Sequence, residues 1–85
     1  MSELATRFEQ ASRDVMTVAE EPDNSTKLRL YALYKQATEG DVSGPKPGFF
    51  DFVATAKYEA WEKLRGTSRD EAMEKYTVLV GKLTR

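Results

Sequence analysis

The 85-residue chain contains no cysteine and no histidine. The first absence removes disulfides, thiolate metal sites and a cysteine nucleophile. The second removes the commonest general base and the commonest metal ligand. Charge is nearly balanced, 13 Lys and Arg against 14 Asp and Glu, for a net charge of −1. No global field therefore draws the chain to nucleic acid or to an anionic membrane, and any anion site has to be a local cluster. No apolar run approaches the ~18 residues that a membrane span needs. The first residues also lack the basic and apolar regions of a signal peptide. There is no internal repeat and no low-complexity tract. What is present, 40% hydrophobic residues over 85 positions, fits one domain spanning 1–85. Such a domain buries a modest core but has no material left for a deep cavity. A ligand is expected in a surface groove of a soluble, cytoplasmic monomer that carries no cofactor and does not insert into membranes.

Periodicity predicts an all-α fold. Ser2 is placed to cap a first helix in which Leu4, Phe8, Ala11, Val15 and Val18 recur at helical spacing, ending near Ala19. Met16 sits beside that stripe, suited to packing or to groove lining. Pro22 breaks the connector at Glu20–Asn24, and Asp23 or Asn24 can cap a second helix from about Ser25 to Glu39, closed by Gly40. Gly44, Pro45, Pro47 and Gly48 make Asp41–Asp51 a long loop, which is expected to cross the fold. At least two of Phe49, Phe50 and Phe52 are expected to pin it to the helices. Asp51 caps a third helix to about Arg65, with Val53, Ala56, Ala60 and Leu64 as its core stripe and Trp61 in the core. Ser68 and Glu71 form a capping box for a fourth helix carrying Ala72, Met73, Tyr76, Leu79, Val80 and Leu83 inward. Gly81 weakens the end of that helix relative to alanine.

The second helix holds the stretch with chemical content. Lys27, Tyr31, Tyr34, Lys35 and Thr38 share one stripe, and Leu30, Leu33 and Ala37 form the core stripe next to it. Tyrosine rings can stack on a flat heterocycle, and ammonium groups neutralise phosphate. The same pattern also describes an ordinary amphipathic helix with boundary tyrosines and solvated lysines. Lys57 stands at the edge of the third helix's apolar face, where its stem can be buried and its ammonium directed outward.

Tyr31 to Val42, YALYKQATEGDV, resembles the signature of the acyl-CoA-binding protein family. The resemblance continues in order through Lys46-Pro47-Gly48, Asp51-Phe52, Ala56 to Trp61, Leu64, Gly66-Thr67-Ser68, Glu71-Ala72-Met73 and Tyr76. It implies a small up-and-down four-helix bundle with a long loop between helices two and three. It also implies a cytosolic carrier of long-chain fatty acyl-CoA esters. By resemblance, Lys35 and Lys57 face the 3′-phosphate of CoA with the Tyr31 hydroxyl nearby. Tyr34 lies against the adenine, Tyr76 closes the site from helix four, and Leu28 lies near the acyl chain. Two positions depart from the pattern: Met16 where the family often has Lys, and Lys27 where it often has Met. Tyr58 stands where the family often has Trp and needs a partner for its hydroxyl.

Two other classes remain open on residues alone. One is a helical adaptor whose apolar stripe binds a partner helix. The other is an enzyme such as an acyl-CoA thioesterase. Without His or Cys it would need a carboxylate base or an activated Lys or Ser, and no acid–base pair is apparent.

Overall fold

The computed structural model describes residues 2–85. It contains four helices: α1 (Glu3–Asp14), α2 (Asn24–Glu39), α3 (Phe52–Glu62) and α4 (Arg69–Leu83). No strand occurs among the described residues, in agreement with the all-α expectation. Each helix starts at a short polar side chain that accepts a free backbone N–H of the first turn. Ser2 Oγ takes Ala5 N–H (3.0 Å), and Asp23 Oδ1 takes Thr26 N–H (2.8 Å). Asp51 Oδ1 takes Ala54 N–H (3.1 Å), and Ser68 Oγ takes Glu71 N–H (3.1 Å). Gly40 and Gly66, at φ +83° and +89°, turn the chain out of α2 and of the turn after α3. A side chain is disfavoured at both angles.

Helix α1 is shorter than its apolar period suggests. It ends at Asp14, and Val15–Thr17 form a 3₁₀ turn. The Thr17 hydroxyl donates to the Asp14 carbonyl at 2.7 Å, giving that helix-end acceptor a side-chain partner. Val18 is already extended, at ψ 126°. Val15 still packs on the core from the tighter turn, so the spacing reads as helix although the helix has stopped.

Two apolar clusters hold the elements. Phe8 and Ala11 of α1, Leu33 and Ala37 of α2, and Ala72, Tyr76 and Val80 of α4 form the larger one. Ala32, Val42 and Trp61 form the smaller, through which α3 packs on α2. Helix α2 is thus central, with α4 and α3 both against it. The Cα trace measures 37 × 30 × 15 Å, and with helices ~10 Å across a ligand has only surfaces and shallow grooves to occupy.

The long loop is pinned, but not by the phenylalanines. Phe49, Phe50 and Phe52 are 80%, 86% and 72% exposed, and Val53, expected in the α3 core, is 67% exposed. The anchors are instead polar groups and one valine. Val42 is buried. Trp61 Nε1 donates to Gly40 O (2.8 Å), and Tyr58 Oη donates to Gly44 O (3.1 Å). Lys46 pairs with Glu59 at 3.0 Å on the surface. With the loop backbone held by Trp61 and Tyr58, no rings are needed beneath it. Phe50→Ser should therefore leave the melting temperature within about 3 °C of wild type, whereas Trp61→Ala should cost about 3–5 kcal/mol. Thermal melts followed by far-UV circular dichroism check both. A large loss in Phe50→Ser would return the loop to aromatic pinning.

Gln36, fully buried in α2, ties the loop to the far turn. Its Nε2 donates to Asp41 Oδ1 (2.9 Å) and to Thr67 O (2.7 Å). Asp41 Oδ1 also accepts Gly66 N–H at 2.8 Å. The bond from Gly66, then that from Gln36, and more weakly the charge of Arg65, hold the Asp41 carboxyl below its usual pKa. A depressed folded-state pKa contributes stability that is fully present above the unfolded value, near pH 4. That stability is lost as pH falls through the folded value. Asp41→Asn keeps an oxygen for Gly66 N–H but does not titrate, so its melting temperature should fall less steeply than wild type below about pH 4. Identical acid profiles would remove Asp41 from the account.

Candidate functional site

Tyr31, Tyr34 and Lys35 project from α2, Lys57 from α3 and Tyr76 from α4. Trp61 and Tyr31 organise the two lysines crosswise over the α2–α3 seam. The Lys35 ammonium, from α2, lies 5.1 Å from the centroid of the Trp61 ring on α3. The Lys57 ammonium, from α3, lies 5.2 Å from the centroid of the Tyr31 ring on α2. Each lysine rests on a ring from the opposite helix, an arrangement worth about 0.5–1 kcal/mol per exposed pair. The packing of Trp61 and Ala32 sets the spacing of the helices and therefore of the two cations.

Next to the lysines is an aromatic cluster. The rings of Tyr34 and Tyr76 are 5.9 Å apart and tilted by 59°. Phe8 of α1 stacks on Tyr34 at 5.6 Å and meets Tyr76 edge-on at 5.1 Å. Tyr76 is buried, while Tyr34 stays 42% exposed, so Tyr34 offers a supported ring face to solvent. Burial, with a smaller effect from Tyr34, pushes the Tyr76 phenol above its usual pKa and keeps it neutral. Phe8 reads from sequence only as a core residue. Its place under Tyr34 depends on how α1 crosses α2 and α4, which no local pattern encodes.

Lys35 is ion-paired to Glu39, one turn on. The hydrogen bond from this pairing raises the Lys35 pKa; partial burial opposes it, and the charges of Glu39, Tyr31 and Tyr34 add to it. Lys35 is therefore a cation throughout the neutral range, close to both tyrosines. Lys57 is exposed and, among the described residues, makes no ion pair. The structure thus brings Lys57, Tyr31, Lys35, Tyr34 and Tyr76 into one continuous strip across three helices.

Leu28 is placed differently. It is half-buried three residues before Tyr31 and lines a shallow groove of about 350 Å³ between α2 and α3. Leu28, Ala32, Leu33, Ala56, Ala60 and Leu64 give that groove its apolar wall, and Arg29, Glu59 and Lys63 are its charged members. The two departures from the family pattern are both at the surface. Lys27 pairs with Glu21 of the connector, and Met16 is 87% exposed in the 3₁₀ turn.

The family model described as acyl CoA binding protein matches residues 5–80. Acyl-CoA-binding protein homolog 1 of Caenorhabditis elegans is 42% identical over 76 residues, covering 89% of this chain and 88% of that protein. Enoyl-CoA delta isomerase 2 of Rattus norvegicus is 49% identical over 77 residues, covering 91% of this chain but 20% of that protein. The chain thus spans about a fifth of the length of this relative and of its human counterpart. Among solved structures, the crystal structure of Oryza sativa acyl-CoA-binding protein 2 matches with a TM-score of 0.90 at 39% identity. That match covers 94% of this chain and 89% of the rice chain.

Proposed function

The chain belongs to the acyl-CoA-binding protein family, and from that membership we propose that it binds long-chain fatty acyl-CoA esters as a non-catalytic carrier and pool former. The observation that carries the reading is the strip itself: two lysines on crossed rings beside an aromatic ring with one face open. A CoA head is a polyanion with a flat base. Lys35 and Lys57 take its 3′-phosphate, the Tyr31 hydroxyl adds a contact, Tyr34 supports the adenine and Tyr76 backs Tyr34. Such charge-assisted contacts fix orientation and select the ligand. The acyl tail runs onto the apolar wall beside Leu28, where each methylene removed from water adds ~0.8 kcal/mol. Binding hides the tail from water and from membranes, so a monomer free in the cytoplasm suffices for transport.

The strip is built of lysine and tyrosine alone. Lys35 is held cationic, Tyr76 is held neutral, and His and Cys are absent. Incubated with palmitoyl-CoA, the protein should leave the thioester intact for hours, as read by thiol release. Free thiol appearing at a rate proportional to protein concentration would make the chain a thioesterase instead.

A further inference from the structure

We propose that Glu39 is a built-in competitor for Lys35, which a ligand's 3′-phosphate must displace, and that it thereby sets how strongly the head site favours a phosphorylated ligand. The inference rests on the assignment of Lys35 to that phosphate.

Glu39 is poorly placed as a helix stabiliser. It is the last residue of α2, at the end where the helix dipole is negative and an acidic side chain is unfavourable. Its pairing with Lys35 runs Lys then Glu at i,i+4, the weaker of the two orders. The chain shows the favourable order elsewhere: Glu71 precedes Lys75 by four residues, in the first turn of α4, at 3.0 Å. The C-terminal end of α2 is served by another cation, since Arg69 Nη2 donates to the Glu39 carbonyl at 3.3 Å. What the Glu39 carboxylate does hold is the Lys35 ammonium. It holds it where the Lys35 side chain is 26% exposed, against 50% for the paired lysines Lys46 and Lys75. Lys57, the other cation of the strip, has no carboxylate partner among the described residues. The two lysines are therefore unequal: Lys57 is free to meet any anion, while Lys35 is released only to a group that outcompetes a carboxylate. A phosphate dianion does so, carrying more charge and more acceptor oxygens. A neutral ribose hydroxyl does not.

Glu39→Gln keeps size and an acceptor oxygen but removes the charge. Binding of palmitoyl-CoA and of 3′-dephospho-palmitoyl-CoA to wild type and variant separates the possibilities. The variant should bind palmitoyl-CoA about two- to fivefold more tightly, bind the dephospho ligand unchanged, and melt no lower than wild type. In a Lys35→Ala background, Glu39→Gln should change neither affinity, because the competition has gone. Suppose wild type prefers the phosphorylated ligand, but the variant binds it no more tightly. The competitor role of Glu39 is then overturned while the Lys35 assignment stands. If wild type binds both ligands equally, the assignment of Lys35 falls and this inference falls with it.

Discussion

Free CoA is expected to bind this protein at least about a thousandfold more weakly than palmitoyl-CoA. At ~0.8 kcal/mol per buried methylene, covering only five of them supplies about 4 kcal/mol, or roughly a thousandfold. The apolar wall beside Leu28 is short and open, a groove of about 350 Å³ in a slab whose smallest dimension is 15 Å. Affinity should therefore climb by up to about fourfold per methylene and then level off where the wall ends. Titration calorimetry across an acyl-CoA length series reads both the slope and the plateau. Leu28→Ala should lower the slope and leave free CoA unaffected. Equal affinities for free CoA and palmitoyl-CoA would remove the groove from the account.

The second large effect concerns the head group. Lys35 and Lys57 come from different helices yet rest on opposite sides of one seam, each on a ring of the other helix. One phosphate can draw on both. A hydrogen bond to a charged group contributes roughly 1.5–3 kcal/mol, so Lys35→Ala or Lys57→Ala should weaken palmitoyl-CoA binding by about 10- to 150-fold. The fold should hardly notice, because Lys57 is exposed and Lys35 is only partly buried. Against 3′-dephospho-palmitoyl-CoA the wild type should lose affinity, and the two variants should lose little more, their target being already absent. The comparison is a double-mutant cycle with a ligand group as one partner. Salt should weaken the phosphorylated ligand more than the dephospho one. Variants that discriminate between the two ligands as strongly as wild type would show that the phosphate lies elsewhere.

Signals within a few residues of each other were legible in the sequence. The four caps, at Ser2, Asp23, Asp51 and Ser68, each satisfy an N–H three residues on, so the pattern contains its own partner. The stripe of Tyr31, Tyr34 and Lys35 was legible for the same reason. Tertiary choices were not. Gln36 looks like a polar residue on a helix until its amide meets Thr67, 31 residues away. Phe49, Phe50 and Phe52 were expected to be covered because large rings usually are. Trp61 and Tyr58 already hold the loop backbone, however, and the phenylalanines remain outside. Of the candidate site, the sequence named the lysines and Tyr31, but not which ring lies beneath which lysine. The lysines are named by the family motif, whereas the rings are selected by how α3 crosses α2.

The most direct test is a ¹⁵N-resolved titration of the protein with palmitoyl-CoA, following backbone amide shifts. A single saturable transition is expected, with the largest shifts at Tyr31, Tyr34, Lys35, Lys57 and Tyr76 and a second set around Leu28. Shifts confined to the groove between α2 and α4, around Glu74, Val78 and Lys82, or no saturable shifts at all, would contradict the site described above.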